Sequence, residues 1–302
     1  MPQFPLIIVN SEPQLTISAL DRGLAYGDGV FETMRVNNGD ISLWQYHYER
    51  LAMGLKRLHI DLKVDRLRVH LQSTIAAIET QYGGVNGTLK LLITRGDSTG
   101  GYAPPEESVV TLISLFSPWV DDFIENNQLH QQQGVEVHCC EEYLPINASL
   151  AGIKSLNQLP YVLASRERQQ LTAKEGLLFT QSGHVVEATA RNIFIVKDKQ
   201  IFTPPLNECG VAGVMRRLIM DDVARVSSVE VNELALSKKN LFLADEIFLT
   251  NSVSYIWPVV QCDNSRWPVG DVTKIIQRNA EQFIQSSDSL SLSNFLSHHY
   301  NQ

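Results

Sequence analysis

The chain has 302 residues, of which 44% are hydrophobic, and its formal net charge is −8. This length suits one large domain or two of ordinary size, and the apolar content is sufficient for a proper core. The acidic balance argues against nucleic-acid binding, and no apolar run is long enough to predict a membrane-spanning helix.

The first third of the chain predicts short strands followed by two helices. The pair Asn38-Gly39 is typical of a tight hairpin turn between two strands. From Tyr46 onward the apolar spacing is helical, and Gly83-Gly84 is expected to end the second helix. The predicted strands are 6–9, 15–18, 30–36, 41–44, 89–94 and 109–115, and the predicted helices are 46–58 and 64–82.

A polar segment at residues 118–133, which includes three consecutive glutamines, predicts a linker. It would separate a smaller N-terminal α/β domain at 1–117 from a larger C-terminal domain at 134–302. The tail at 286–302 is weakly patterned, so we expect it to be partly ordered at best. In the larger domain the predicted strands are 134–140, 176–180, 185–196, 201–203 and segments near 247 and 256, and the predicted helices are 159–171, 214–225 and 272–284.

The four cysteines show no spacing typical of a redox motif or a metal site. Cys139 and Cys140 are adjacent, whereas Cys209 and Cys262 stand alone, and His138 has no ligand spacing with an acid. Reduced packing thiols in a cytosolic protein are the ordinary explanation. The N-terminus lacks the pattern of a signal peptide. The sequence therefore predicts a cytoplasmic protein without a metal site.

Lys154 lies among small and apolar residues, after a predicted strand and before a predicted helix. Taken alone, such a residue is more often a solvated surface lysine. A lysine that is desolvated in a pocket is instead a nucleophile that forms Schiff bases. Glu187, in the strand-like run at 184–192, is either an exposed acid or a carboxylate that holds a pyridinium nitrogen. A lysine and an acid of this kind are the working pair of pyridoxal phosphate chemistry.

Three segments, in order along the chain, resemble the fold-type IV pyridoxal-phosphate enzymes. They are Gly-Ile-Lys-Ser-Leu-Asn at 152–157, Val-Glu-Ala-Thr-Ala-Arg-Asn-Ile-Phe at 186–194 and Gly-Val-Ala-Gly-Val-Met-Arg-Arg at 210–217. This family includes branched-chain and D-amino-acid aminotransferases and 4-amino-4-deoxychorismate lyases, and the chain is most similar to the lyases. The resemblance implies a two-domain α+β fold like that of D-amino acid aminotransferase, with pyridoxal 5′-phosphate at the domain interface. It also implies a homodimer.

The resemblance assigns the cofactor contacts. Lys154 would bind the cofactor covalently, Glu187 would hold its pyridine nitrogen, and Arg50 would reach its phosphate as a bidentate, always-charged donor. Arg50 alone would equally suit the surface of an amphipathic helix. Backbone N–H groups at the helix start after Gly213 would also bind the phosphate. The residues implied there are Val214 and Met215, with Ser252 and Asn251 after a later strand.

Substrate contacts are implied for two segments of the N-terminal domain. Thr33 and Arg35 lie two apart on a predicted strand and therefore share a face. Thr33 is a candidate proton donor and Arg35 a candidate substrate ligand. Tyr102 follows in a glycine-rich loop, where it would otherwise be an ordinary turn aromatic. The lyases often carry an arginine before Gly-Tyr in this loop, and Gly100 replaces it here, which leaves a substrate carboxylate contact unassigned.

The resemblance implies cleavage of 4-amino-4-deoxychorismate to 4-aminobenzoate and pyruvate, a step of folate synthesis. A D-amino-acid or branched-chain aminotransferase is the alternative, although these enzymes tend to carry Gly-Ile-Thr-Arg where this chain has Gly-Val-Met-Arg at 213–216. A cofactor-binding protein without catalysis is a third hypothesis. The joint presence of Lys154, Glu187 and Arg50 argues against it, because a mere binder does not need an electron sink.

Overall fold

In a computed structural model, residues 5–171, 173–287 and 290–297 are described. The helices are α1 (Arg22–Tyr26), α2 (Trp44–Arg57), α3 (Val64–Tyr82), α4 (Asp121–Gln133), α5 (Leu159–Gln170), α6 (Val214–Leu218), α7 (Ala224–Ser227), α8 (Lys238–Phe242), α9 (Asp271–Ser286) and α10 (Leu292–Ser297), and one π-helical turn, Ile219–Val223, joins α6 to α7. The strands are β1 (Leu6–Val9), β2 (Glu12–Pro13), β3 (Gly29–Asn37), β4 (Asp40–Ile41), β5 (Gly87–Thr94), β6 (Thr111–Pro118), β7 (Val135–Tyr143), β8 (Glu175–Phe179), β9 (His184–Ala188), β10 (Arg191–Lys197), β11 (Gln200–Thr203), β12 (Val231–Glu233), β13 (Leu236–Ser237), β14 (Glu246–Asn251), β15 (Tyr255–Cys262) and β16 (Ser265–Arg266).

The chain divides into two compact units, each made of a sheet with helices, in agreement with the predicted α+β class. Unit 1 comprises Met1–Val120, Ile153–Asn157 and Ser287–Gln302, and unit 2 comprises Asp121–Gly152 and Gln158–Ser286. Among the helices of the described residues, none is both long and apolar enough to cross a membrane.

Unit 1 contains an antiparallel sheet in the order β2-β1-β6-β5-β3-β4. Alternate residues of β3, among them Met34 and Val36, are fully buried in a core shared with α2 and α3. Thr33 and Arg35 point to the opposite face, because side chains alternate along a strand. The predicted hairpin is confirmed, since Asn38 and Gly39 both have positive φ and join β3 to β4.

The C-terminal tail contributes to the core of unit 1. The ring of Phe295, on α10, lies 5.5 Å from the ring of Trp44 and 5.3 Å from that of Tyr48. Leu292 is buried in the same cluster. Residues 292–297 are therefore an ordered part of the tail, because two apolar side chains one helical turn apart anchor them. Residues 288–289 and 298–302 lie outside the described residues.

Unit 2 is built on a mixed sheet whose middle closes on itself. β9 pairs with β10 as well as with β8, so the strands β10-β14-β15-β7-β8-β9 form a ring. Within it β7 runs parallel to both β15 and β8. Closure leaves no free edge in these six strands, and their inward side chains form the core of the unit.

Several predictions differ from the structure. Residues 153–157 and 287–302, expected in the C-terminal domain, belong to unit 1, and the strand expected at 41–44 ends at Ile41, since Trp44 begins α2. The expected linker at 118–133 is mostly the helix α4, which is held on unit 2 by tertiary hydrogen bonds such as Trp257 Nε1 to Asn127 Oδ1 at 2.8 Å. Its polar sequence has little helical periodicity, so the pattern did not reveal it.

The expected strand at 185–196 is the hairpin β9–β10, whose turn at Thr189-Ala190 lacks glycine or asparagine. Residues 15–18 are not a strand, and Leu15 is exposed.

Candidate active site

Lys154 is held in place by the edge of β3. Phe31 N donates to the Lys154 carbonyl at 2.9 Å, and Leu156 N donates to the Gly29 carbonyl at 3.0 Å. Gly29 is required at this crossing, because a Cβ there would approach the Ile93 carbonyl oxygen to 2.4 Å. The Lys154 ammonium lies 4.3 Å from the centroid of the Phe31 ring. The lysine is therefore fixed by sheet pairing and half-buried, rather than mobile on the surface.

Arg50 belongs to a buried network that the sequence did not predict. Its Nε donates to Glu32 Oε1 at 2.8 Å, its Nη2 also donates to Glu32, and His47 Nδ1 lies 2.6 Å from Glu32 Oε2. Glu32 and His47 are each only 1% exposed, and Arg50 is buried with them. The surface-arginine interpretation of Arg50 is therefore wrong. The available signal was the i, i+3 spacing of His47 and Arg50, which places both on one face of α2.

This network keeps Glu32 ionised. Burial opposes its charge, but the Arg50 guanidinium and hydrogen bonds from His47 and Arg50 outweigh burial and lower the pKa of Glu32 from 4.5 to about 2. Burial, together with the charges of Arg50 and Lys154, lowers the pKa of His47 although Glu32 opposes that shift. The carboxylate therefore fixes the direction of the Arg50 guanidinium.

The lowered pKa of Glu32 predicts a loss of stability in acid. Because the folded pKa of about 2 lies below the ordinary 4.5, the contribution is complete above pH 4.5 and disappears as the pH falls toward 2. Between these limits we expect the unfolding free energy of the wild type to fall by roughly 3 kcal/mol more than that of Glu32→Gln. Urea unfolding at several pH values measures this difference. The exposed Glu106→Gln serves as control and should retain the full acid dependence of the wild type.

The outer face of β3 carries several cationic groups beside Thr33. Lys90 pairs with Thr33 across the sheet, and its ammonium lies 4.8 Å from the Phe31 ring centroid. Burial lowers the pKa of Lys90. Arg35 lies over the Trp119 ring at 4.6 Å and donates from Nε to Asn37 at 2.9 Å. This face suits an anionic ligand, and Lys90 is a candidate that the sequence reasoning missed although it alternates with buried leucines on β5.

The loop that carries Tyr102 is anchored by a buried arginine. Arg22 donates to the carbonyls of Gly101 at 2.8 Å and Tyr102 at 2.9 Å, and its Nε pairs with Asp28 at 2.8 Å. Tyr102 is 88% exposed, and its ring lies 5.5 Å from the ring of Tyr26. The exposed tyrosine is therefore presented by an ordered loop. Arg22 was not singled out from the sequence, because its contacts lie about 80 residues away.

In unit 2, Glu187 is buried at the centre of a converging set of donors. Tyr161 Oη donates to Glu187 Oε1 at 2.5 Å, Asn192 Nδ2 donates to Oε2 at 3.1 Å, and Val211 N lies 3.2 and 3.1 Å from the two oxygens. Burial and then the Glu187 charge raise the pKa of Tyr161, so its hydroxyl remains a donor. The exposed-acid interpretation of Glu187 is wrong, since only 3% of the residue is exposed.

Gly213 begins the helical segment that contains Val214 and Met215. A Cβ at this position would come within 1.9 Å of Asn192 Oδ1, so only glycine fits. Because glycine has no side chain to cap the helix, the N–H groups of the first turn are available to an anion. The helical segment then continues through one π-helical turn to Ser227. Asn192 therefore donates to the Glu187 carboxylate through Nδ2 and lies against Gly213 at the helix start through Oδ1.

The turn after β14 carries Ser252. Asn251 Oδ1 accepts from Val253 N at 3.1 Å and from Ser254 N at 2.8 Å, so this side chain shapes the turn. Within the described part of the chain, the hydroxyl of Thr250 is buried without a hydrogen-bond partner. A buried polar atom of this kind indicates a missing polar neighbour, such as a water molecule or ligand.

The predicted site residues therefore form separate groups. In unit 1, Lys154, Thr33 and Arg35 lie along β3, and Arg50 is held by Glu32 of the same strand. Tyr102 lies apart from them, on its own loop. In unit 2, Glu187 is grouped with the helix start at Val214 and Met215, and Asn251 orders the turn of Ser252.

Comparisons with known proteins identify the family of the chain. The family described as amino-transferase class IV matches residues 29–262. An aminodeoxychorismate lyase of Vibrio harveyi is 34% identical, over 90% of this chain and 98% of that protein. The structure of 4-amino-4-deoxychorismate lyase from Pseudomonas aeruginosa is 38% identical, covers 94% of this chain and 100% of its own, and has a TM-score of 0.84. A putative branched-chain-amino-acid aminotransferase of Methanocaldococcus jannaschii is 30% identical over 87% of this chain and 89% of that protein. The chain belongs to the class IV amino-transferase family.

Proposed function

We propose that this protein is a pyridoxal 5′-phosphate-dependent lyase that converts 4-amino-4-deoxychorismate to 4-aminobenzoate and pyruvate. The observation that carries the proposal is Lys154, a half-buried amine fixed by sheet pairing beside an aromatic ring. The similarity to lyases along nearly the whole chain supports the choice of reaction.

The residues present suit this cofactor. Its phosphate requires an anion site. Unit 2 offers one at the uncapped helix start of Val214 and Met215, and unit 1 offers the guanidinium of Arg50. Its pyridine nitrogen requires a carboxylate, and Glu187 is held as one by three donor groups. We propose that Ser252 adds a hydroxyl to the phosphate site and that Asn251 contributes by ordering the turn.

When bound, the cofactor supplies an electron sink that makes the proton on the amine-bearing carbon of the substrate acidic. Lys154 removes that proton at its Nζ. Thr33 then passes a proton from its hydroxyl to the departing enolpyruvyl group and recovers one from the protonated Lys154 Nζ, so no proton is gained or lost. Formation of the aromatic ring favours departure. Arg35 and Tyr102 bind the substrate. The positive charges of Arg35 and Lys90 attract the substrate carboxylates to this face.

The second candidate function is an aminotransferase, because the M. jannaschii relative is named as one. One experiment separates the two. The purified protein is given aminodeoxychorismate, and in parallel D-alanine or a branched-chain amino acid with 2-oxoglutarate. We expect 4-aminobenzoate and pyruvate in the first reaction and little amino-group exchange in the others. Rapid exchange without 4-aminobenzoate would establish the aminotransferase, and no turnover in any reaction would favour a non-catalytic binder.

Removal of the Thr33 hydroxyl should impair the lyase reaction selectively. If Thr33 delivers the proton, Thr33→Ala should lower kcat for pyruvate release by about 10²–10⁴-fold, the range of one positioned acid or base. The visible spectrum of the bound cofactor should not change, because Lys154 and Glu187 are intact. Thr33→Ser retains a hydroxyl and should recover most of the rate. Equal rates for Thr33→Ala and wild type would remove Thr33 from the mechanism.

We also propose that the protein is a cytoplasmic homodimer. The four cysteines are free thiols, which suits a reducing compartment. Unit 1 exposes several large apolar side chains, among them Leu24, Tyr102 and Val109, which a second copy would cover. Light scattering on the eluting protein measures the mass directly, and a monomer at micromolar concentration would contradict the dimer.

A further inference from the structure

Two cysteines that are distant in sequence meet in unit 2. Cys139 lies on β7 and Cys262 ends β15, and their sulfur atoms are 3.4 Å apart. Cys262 is fully buried, whereas Cys139 is partly accessible to solvent. None of the residues proposed for the lyase reaction belongs to this pair, so the two thiols require a separate explanation.

The strand register argues against a disulfide as that explanation. Cys262 lies opposite Val137 on the parallel pair β7–β15, so Cys139 is two residues beyond its direct partner position. Given the usual rise and spacing of strands, the two Cα atoms would be about 8 Å apart. Disulfides require less than about 7 Å between Cα atoms. A metal ion bonded to both sulfurs can instead bridge the two cysteines. In tetrahedral zinc–thiolate geometry the two sulfurs bound to one zinc lie about 3.8 Å apart, close to the 3.4 Å found here.

A third donor completes the cluster. Asp263 follows Cys262 in the tight turn between β15 and β16 and has a positive φ of 51°. The ligand atoms of Cys139, Cys262 and Asp263 all lie within 4.8 Å of one another. Two sulfurs and one carboxylate oxygen form a donor set that prefers a zinc-like cation over magnesium or calcium, which take oxygen ligands.

Charges around the cluster are suited to a divalent cation. Two thiolates and one carboxylate exceed the charge of a divalent cation by one. The ammonium of Lys238, 3.8 Å from Asp263 Oδ2, balances that remaining charge.

His138 is adjacent to the cluster but outside it. Its Nε2 lies 2.9 Å from Glu167 Oε1, and its Nδ1 lies 3.8 Å from Asp263 Oδ1. Because neighbouring residues of a strand point to opposite faces, His138 shares the face of Cys140 rather than that of Cys139. The protein ligands are therefore Cys139, Cys262 and the exposed Asp263, and a water molecule would take the fourth position.

We propose that Cys139, Cys262 and Asp263 bind Zn²⁺ or another thiophilic divalent cation, with a water molecule as the fourth ligand. Binding releases the two thiol protons and forms two metal–sulfur bonds, with no change of oxidation state. The cation would tie the β15–β16 turn to β7 and so stabilise unit 2. The proposal is independent of the lyase reaction, because none of the three protein ligands is placed in its machinery.

Cobalt titration of the full-length protein tests the proposal. The holoenzyme is reduced, freed of metal with a chelator and titrated with Co²⁺, whose thiolate complexes absorb in the near ultraviolet. We expect one equivalent to bind with this absorption, and Zn²⁺ to displace it and raise the melting temperature. Cys139→Ser and Cys262→Ser should lose the absorption. Asp263→Asn, which replaces a charged ligand by a neutral one, should weaken Co²⁺ binding by at least about 10–100-fold, the loss that even changes outside the ligand set produce.

The adjacent cysteine provides a matched control. Cys140 alternates to the other face of β7, where burial raises the pKa of its thiol to about 12. Cys140→Ala should therefore keep the cobalt spectrum of the wild type. This variant also controls for unspecific effects of replacing a buried cysteine in β7. Absence of thiolate–cobalt absorption in the wild type, or its persistence in Cys139→Ser, would overturn the proposal. So would rapid conversion of the metal-free pair to an internal disulfide by oxidised glutathione, since the register then permits direct bonding.

Discussion

Lys154→Ala should lose at least about 10⁴-fold in turnover, because one substitution removes both the nucleophile and the proton carrier. Since Lys154 is anchored through its carbonyl to Phe31 N, and Leu156 N beside it to the Gly29 carbonyl, the fold should survive the loss of the lysine side chain. The melting temperature of the variant should therefore remain close to that of the wild type. Stopped assays of 4-aminobenzoate formation, made with excess cofactor, measure the effect.

Borohydride reduction gives a second measurement that does not depend on turnover. In the wild type it should attach the cofactor to the peptide that contains Lys154, and in Lys154→Ala this label should be absent. Lys90→Ala is the matched control, because Lys90 contacts the same Phe31 ring. It should keep the label on Lys154. Recovery of the label on Lys90 or on another lysine would show that Lys154 is not the attachment site.

Glu187→Gln should lower the rate of either reaction, lyase or aminotransferase, by about 10²–10³-fold, the scale of one preorganised electrostatic contact. The amide keeps the shape of the side chain but loses the negative charge that would hold a proton on the pyridine nitrogen. It also places an NH₂ group against donors that require an acceptor, such as Val211 N. Steady-state kinetics and the pH dependence of the cofactor absorbance measure the two consequences separately.

Tyr161→Phe is the control that separates charge from local structure. It removes one hydrogen bond to Glu187 but leaves the carboxylate and its other donors in place. The rate loss of Tyr161→Phe should be much smaller than that of Glu187→Gln. A single hydrogen bond contributes about 0.5–1.5 kcal/mol, or up to about 3 kcal/mol when its acceptor is charged. Equal losses in the two variants would indicate that Glu187 acts mainly through structure.

Local patterns predicted those elements whose signal lies within one stretch of chain. The helix at 64–82 was predicted with the bounds that the structure has, because its apolar spacing and terminal glycines are local features. The Asn38-Gly39 hairpin was equally clear. The hairpin β9–β10 was not, since its turn lacks the usual residues. The helix α4 was missed because interactions with distant residues, rather than its own pattern, hold it.

At the site, the motifs identified the candidate functional residues but not the residues that hydrogen-bond to them and hold them in place. Lys154, Glu187 and Arg50 could be selected from their sequence context. Glu32 and His47 could not be connected with Arg50, because an acid on a strand and a histidine on a helix approach each other only after packing. Arg22 and the Cys139–Cys262 pair present the same difficulty, with partners about 80 and 123 residues away. Sequence spacing reports neighbours along one helix or strand and is silent on contacts across strands.

The path of the chain through unit 1 has a consequence for biosynthesis. This unit requires segments that lie far apart along the chain, and Phe295 packs on Trp44 only once α10 has been made. N-terminal domains commonly fold while the ribosome is still translating. Here unit 1 must remain incomplete until α10 has been synthesised, because its Lys154 segment and α10 are both missing at first. A chaperone that binds nascent chains would therefore encounter the aromatic side chains of Trp44 and Tyr48 throughout the interval between synthesis of α2 and synthesis of α10.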